Sequence, residues 1–272
     1  MITMPDIEST RWSVALSSTD YQEQAARSLS ENGFCVIRGP VISQTARDHC
    51  LGAIWSRLDE LLRAAHAKGL NVDGLLRFNE LCKRQPGARY DLRLPLGPTT
   101  EHVPFAASEV LGSNSWCDLA KPAVDCIAKP VLQKAALGEC KEWEANVAGC
   151  IVSLPGAPTQ PSHTDGMGCE FVNAFLPLVD VTALNGPTEI EPGSQAQGHD
   201  PSKRLMPADP LAHLPNGIAP ELAAGDLLLF QYSVIHRGCA NNSEEGRPVL
   251  YFTYGAHGLV DTHNFPSDSP LL

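Results

Sequence analysis

Apolar and polar positions change rhythm along this chain at about residue 143. Before that point the spacing is helical in three places. The stretch DYQEQAARSLSENG predicts a short helix, with Asp20 as its N-cap and Gly33 closing it. FCVIRG follows and reads as a strand. Ser43 is placed to cap a second helix, in which Ala46, Cys50, Ile54, Leu58, Leu61, Leu62 and Ala65 recur every three or four positions until Gly69. Residues 70 to 122 keep no sustained period. A third helical stretch runs from about 122 to 137, and Pro130 predicts an interruption because proline removes a backbone donor.

After residue 143 short apolar runs replace the helical period: NVAGCIVSL, CEFVNAFLPLVDV, GDLLLFQYSVIH and RPVLYFTYGAHG. Turn clusters such as PGAP, NGPT, EPGSQ and NNSEEG separate them. Many short strands between Gly/Pro turns predict a sandwich or barrel of antiparallel strands. The expectation is one domain over residues 1–272, mainly β with flanking helices. Residues 1–142 form its helix-rich part and 143–260 its β core. A chain of 272 residues is long enough to bury such a core.

Composition narrows the function classes. The formal net charge of −11 argues against a general nucleic-acid binder, which needs clustered Lys and Arg. It leaves room for an anionic substrate in a local basic pocket. No apolar run reaches membrane-spanning length, and MITMPDIEST has no basic start followed by an apolar segment. The expected location is therefore the cytoplasm. Nine scattered cysteines without a C-x-x-C pair read as reduced, mostly buried thiols.

The chemistry concentrates in TQPSHTDGMGCEF, residues 159–171. On an extended segment, His163 and Asp165 put their side chains on one face, as two ligands of one metal require. A second histidine would complete a two-histidine, one-carboxylate face of the kind that suits Fe(II). His236, at the end of GDLLLFQYSVIH, is the candidate. Arg247 follows eleven residues later and opens the next strand. If the two strands are antiparallel neighbours, His236 and Arg247 share one end of a sheet. Arginine grips a carboxylate bidentately. Taken singly, each has a plainer reading: a polar loop, a satisfied core histidine, and a surface ion pair of Arg247 with Glu244 or Glu245.

Together the four residues resemble the site of the phytanoyl-CoA hydroxylase-like (PhyH) dioxygenases. GFCVIRG, NGPTEIEPGSQ and AAGDLLLFQYSVIHRGCANNSEEGRPVLYFTYG resemble that family's opening strand, core turn and closing hairpin. The resemblance is specific over residues 150–257 and loose over 20–140. It implies a double-stranded β-helix, or jelly roll, of the cupin-like kind. It also implies a hydroxylase that uses Fe(II), 2-oxoglutarate and O2 and releases succinate and CO2. His163, Asp165 and His236 would be the metal ligands and Arg247 the cosubstrate anchor. Gln160 matches a glutamine that contacts 2-oxoglutarate or orders the ligands, and Thr188 a hydroxyl partner for the distal carboxylate. A loop amide and a turn hydroxyl are the alternatives for these two. Gly238 stands where some members carry a hydroxyl residue. Related halogenases lack the carboxylate that Asp165 supplies, so oxygen chemistry is implied.

The substrate is a small molecule of unspecified identity. LCKRQPGARYDLRLP gathers Lys83, Arg84, Arg89 and Arg93, and Arg89 and Arg93 are candidate contacts for an anionic substrate. The alternative is a solvated basic surface paired with Asp91 and Glu101. Two other functions remain open at this stage. One is a non-catalytic jelly-roll protein that binds a small molecule; the other is a cupin-like metalloenzyme without 2-oxoglutarate.

Overall fold

A computed structural model describes residues 11–96, 116–138, 142–197, 209–261 and 269–272. Two of the helices form where the period placed them. α1, Tyr21–Asn32, ends at Gly33, whose φ of 82° lets its N–H reach Leu29 O. Asp20 precedes α1, but its side chain does not cap it. Its two oxygens take Ser18 Oγ and Gln24 Nε2 instead. α2, Gln44–Ala67, starts as expected, with Ser43 Oγ accepting from the Ala46 N–H.

α3, Lys121–Ala135, runs straight through Pro130, contrary to the predicted interruption. Magnitudes explain the difference. Proline inside a helix costs about 3 kcal/mol. Val124, Val131 and Leu132 on the same helix are completely buried, and each contributes roughly 1.5–3 kcal/mol.

Among the described residues, eleven strands accompany these helices. β1 (Ser13–Ala15), β2 (Phe34–Arg38), β3 (Leu76–Arg77), β4 (Leu81–Lys83) and β5 (Arg89–Leu94) come first. β6 (Trp143–Ser153), β7 (Phe171–Pro177), β8 (Thr188–Ile190), β9 (Leu227–Gln231), β10 (His236–Gly238) and β11 (Arg247–Ala256) follow. Nine of them make one sheet in the order β1-β2-β9-β7-β11-β6-β5-β4-β3. β8 and β10 pair in a second, smaller sheet. Both faces of the large sheet are buried. Cys35, Ile37, Leu227, Leu229, Leu250 and Phe252 face the helices. Their strand neighbours Phe34, Val36, Leu228, Phe230, Val249 and Tyr251 face the other way and pack with Ile190 and Val234. The expected jelly roll is thus present, its interior lying between the two sheets.

Three strand expectations change. GDLLLFQYSVIH is two strands, β9 and β10, in different sheets. β11 pairs with β6 and β7 and is no hairpin partner of β10. The uncalled stretch 70–122 contributes β3, β4 and β5 to the edge of the large sheet. No helix among the described residues is long and apolar enough to cross a membrane.

Candidate active site

The site is made where the chain changes sheets. β9 ends at Gln231, and a turn closed by Val234 N–H to Gln231 O, 3.1 Å, delivers His236 to the small sheet. Val234 is fully buried and pins that corner. His236 and His163 then exchange two backbone hydrogen bonds, each 2.9 Å. A hydrogen-bonded antiparallel pair sets its side chains on the same face, and the two rings stand 4.5 Å apart. Two residues further, the Asp165 N–H reaches Tyr232 O at 3.0 Å. The segment SHTD is strand-like only at His163, which forms an isolated bridge, and Asp165 follows at a bend held by its bond to Tyr232 O.

Three ligand atoms converge as a result. His163 Nε2 lies 3.8 Å from Asp165 Oδ1, and His236 Nε2 lies 3.6 Å from Asp165 Oδ2. One donor atom from each residue falls within 4.8 Å of the other two. The rings are also oriented. His163 Nδ1 sits 2.9 Å from Pro161 O and His236 Nδ1 3.1 Å from Val234 O. A proton on each Nδ1 satisfies those carbonyls and leaves both Nε2 lone pairs facing inward. Partial burial and the neighbouring His236 imidazole hold His163 below the ordinary imidazole range, which favours its neutral form.

The carboxylate is held as well. Asn173 Nδ2 donates to Asp165 Oδ2 at 2.8 Å. Thr253 Oγ1 donates to Asn173 Oδ1 at 2.7 Å, which fixes the amide's direction, and Tyr232 Oη lies 3.2 Å from Thr253 Oγ1. Asn173→Ala is expected to weaken divalent-metal affinity by about 10–100-fold with little change of fold. Titration with Fe(II) under anaerobic conditions measures it, and an unchanged Kd refutes the positioning role.

A second cluster stands at one end of the same cavity. Arg89 on β5 and Arg247 on β11 both lie opposite Ser153 on β6. Ser153 Oγ accepts from Arg89 Nε and from Arg247 Nη2, both at 2.9 Å. Arg89 also donates to Gly238 O and Cys239 O, and Arg247 to Gly186 O. Arg247 is only 4% exposed, so the surface pairing with Glu244 or Glu245 does not occur. Its Nε is buried without a hydrogen bond. Among the described residues, no carboxylate lies within ion-pair distance of either guanidinium. Burial pushes Arg89 down to about 9, with the Arg247 charge adding to the effect, and burial pushes Arg247 down to about 10. Two buried cations without an acid are costly unless an anion joins them.

Gln160 and Thr188 line this cavity with Arg89 and Arg247. Gln160 Oε1 accepts from the Gly238 N–H, and Gln160 N–H donates to Gly238 O, both at 2.9 Å. These bonds fasten the SHTD segment to β10. Thr188 is buried on β8 directly opposite Gly238. A side chain at residue 238 would meet Gln160 Oε1 at 2.6 Å and Arg89 Nη1 at 3.0 Å, so the glycine leaves room for the guanidinium.

Arg93 does not line the cavity; it donates to Asn79 Oδ1 at 2.8 Å. The basic stretch is a solvated surface only in part: Arg84 is half exposed and lies 3.9 Å from Asp91, one of the expected partners. Arg89 is buried, and Lys83 is buried with its Nζ 4.6 Å from the centre of the Tyr90 ring. Glu101 lies outside the described residues. Of the other histidines, His49, His66 and His257 are exposed. His213 sits against Glu189, while His102, His199 and His263 lie outside the described residues.

The family model for phytanoyl-CoA dioxygenase (PhyH) matches residues 29–249, which include both clusters. The chain belongs to the phytanoyl-CoA dioxygenase family. Members of that family are iron(II)- and 2-oxoglutarate-dependent oxygenases, in agreement with the resemblance carried by the motifs. L-proline trans-4-hydroxylase of Streptomyces griseoviridis is 34% identical over 134 residues, 40% of this chain and 49% of that protein. The matched stretch thus spans about half the length of that relative. Among solved structures, the α-ketoglutarate-dependent epimerase SnoN from nogalamycin biosynthesis superposes with a TM-score of 0.56 at 14% identity. That match covers 88% of this chain and 84% of SnoN. AviO1 from Streptomyces viridochromogenes Tue57 gives 0.55 at 17% identity, covering 90% and 99%. At these identities the likeness is one of fold.

Sequence reasoning missed Asn173 and Ser153 and read Asp91 only as a surface partner of the basic stretch, whereas Asn173 and Asp91 line the cavity and Ser153 bonds Arg89 and Arg247. A signal for them existed. RYDLRL alternates polar and apolar residues with period two, and Asn173 interrupts an otherwise apolar run. Inward-facing polar residues on buried strands are costly unless partnered, so each such position marks a site.

Proposed function

We propose that this chain is an iron(II)- and 2-oxoglutarate-dependent oxygenase that hydroxylates, or otherwise oxidises, an unactivated C–H of a small-molecule metabolite. One observation carries the reading. A triad of two inward-facing imidazole nitrogens and one carboxylate shares a cavity with two buried guanidiniums that have no acid beside them among the described residues.

The residues suit both groups. His163, Asp165 and His236 would hold the iron: two neutral imidazoles and a carboxylate are the donor set expected of Fe(II) in such oxygenases. Arg247, whose Nε is orphaned, would take the distal carboxylate of 2-oxoglutarate, with Ser153, Arg89 and Thr188 around it. Gln160 would keep the metal-bearing segment in register with β10. Iron with 2-oxoglutarate and O2 supplies the oxidising power, and 2-oxoglutarate leaves as succinate and CO2. The protein binds both partners, orients the substrate C–H and limits water. Residues 1–272 act as one catalytic unit in this reading, which the membership of β1 and β11 in one sheet supports.

A cupin-like metalloenzyme without 2-oxoglutarate leaves the paired arginines unexplained. A non-catalytic binder leaves the oriented Nε2 atoms and the Asn173 bond to Asp165 unexplained. The test is succinate formation from 2-oxoglutarate by anaerobically reconstituted Fe(II) protein after admission of O2, with and without a metabolite pool. Succinate that requires both iron and O2 is the expected result. Neither succinate nor binding of 2-oxoglutarate by the iron-loaded protein would refute the proposal.

A further inference from the structure

The cavity has a third charged group that neither iron nor 2-oxoglutarate uses. Asp91 lies on β5 two residues beyond Arg89, on the same inward face, opposite Ile151. Two strand residues advance about 7 Å, so Asp91 stands one row away from the arginine end. The same cavity includes Asp165, and Asp91 is near enough to be influenced by its charge.

Asp91 is built into place. Tyr251 Oη donates to Asp91 Oδ1 at 2.9 Å. Tyr251 lies across Gly149, where a Cβ would come within 2.3 Å of the phenol, so only glycine at 149 allows that reach. The second oxygen, Oδ2, stands 3.9 Å from Arg84 Nη2. That is ion-pair distance but too long for a hydrogen bond. The Asp91 side chain keeps 21% of its surface accessible and lines the cavity. Burial pushes its carboxyl up to about 6, against the pull of Arg84 and the Tyr251 hydrogen bond. Arg84 lines the same wall and is half exposed.

We propose that the substrate of this oxygenase is a small zwitterion of the amino-acid type, its ammonium group held by Asp91 and its carboxylate by Arg84. An α-amino acid carries both charges close together, so one group can face a carboxylate and a guanidinium separated by a short gap. Charge-assisted hydrogen bonds at both ends are the strong, directional kind. With its charged end on this wall, the rest of the substrate extends towards the triad, one row from the cosubstrate end. The inference rests on the oxygenase reading only for the name of the reaction; the binding site stands on its own geometry.

Titration calorimetry tests it under anaerobic conditions, with the Fe(II)-loaded protein, with and without 2-oxoglutarate. The probes are the twenty common L-amino acids, and the N-acetyl derivative and methyl ester of each one that binds. At least one free amino acid is expected to bind, and each derivative at least tenfold more weakly. Asp91→Asn is expected to weaken the free amino acid at least tenfold while the Kd for 2-oxoglutarate stays within twofold, which also shows the variant is folded. The proposal is overturned if no free amino acid binds, or if N-acetylation leaves the affinity of wild type unchanged. Failure of 2-oxoglutarate to bind wild type would count against the oxygenase reading alone, because the amino-acid titrations without it still decide this one.

Discussion

His163→Ala is expected to form no measurable succinate and to lose Fe(II) affinity on the order of 10³-fold or more, beyond the 10–100-fold brought by partners of ligands. The effect is large because the site offers three protein donors, and two donors no longer define a face. The fold is expected to survive, since the His163 side chain is 34% exposed and supports little around it. His236→Ala separates the two consequences. Its ring is 6% exposed and packs 4.8 Å from Phe230, so that variant should lose the metal and also roughly 1–3 kcal/mol of stability. Anaerobic Fe(II) titration with urea unfolding of the metal-free proteins distinguishes them. Normal iron affinity in His163→Ala would remove the residue from the metal site.

Arg247→Gln is expected to raise the Kd for 2-oxoglutarate on the order of 100-fold, because each charge-assisted hydrogen bond is worth about 1.5–3 kcal/mol. Iron affinity should not move, since Arg247 belongs to the other cluster. The unliganded protein has a specific reason to tolerate the change. Arg247 and Arg89 stand either side of Ser153 with no acid beside them among the described residues, and burial penalises both charges. Wild type at a 2-oxoglutarate concentration of 100 Kd gains about 2.7 kcal/mol of stability by linkage, whereas a 100-fold weaker variant gains about 0.4 kcal/mol at that concentration. Thermal unfolding with and without 2-oxoglutarate reads this directly. An equal rise in Tm for both proteins would assign the distal carboxylate to other residues.

The two clusters differ in how far they could be read from the chain. His163 and Asp165 were legible because a period of two decides which side chains share a face, and that rule needs no tertiary structure. His236 was legible as a residue but not as a place. It seemed to end a strand, and it begins the next one in another sheet. Arg247 was reached through the wrong geometry, a hairpin with the His236 strand, yet it lands in the same cavity because the two sheets face each other. Arg89 and Arg93 looked equivalent in RYDLRL. Both lie on the same face of β5, but Arg89 lies level with Ser153 and Arg93 level with Gly149, four residues further from Arg247 and outside the cavity lining.

The amino-acid sequence by itself determined the local elements: α1 and its Gly33 stop, the Ser43 cap of α2, the β-rich second half, and the shared face of His163 and Asp165. Each depends on interactions within a few residues. Tertiary structure alone decided what lies opposite what. Pro130 stays helical because α3 buries enough apolar surface to outweigh the lost bond. GDLLLFQYSVIH divides because its corner at Val234 is buried between two sheets. Arg89, Ser153 and Arg247 form one row, with Asp91 one step beyond, because β5, β6 and β11 pair in a register set by contacts between residues far apart in the chain. Register of that kind follows from which faces can be buried together, and no local pattern encodes it.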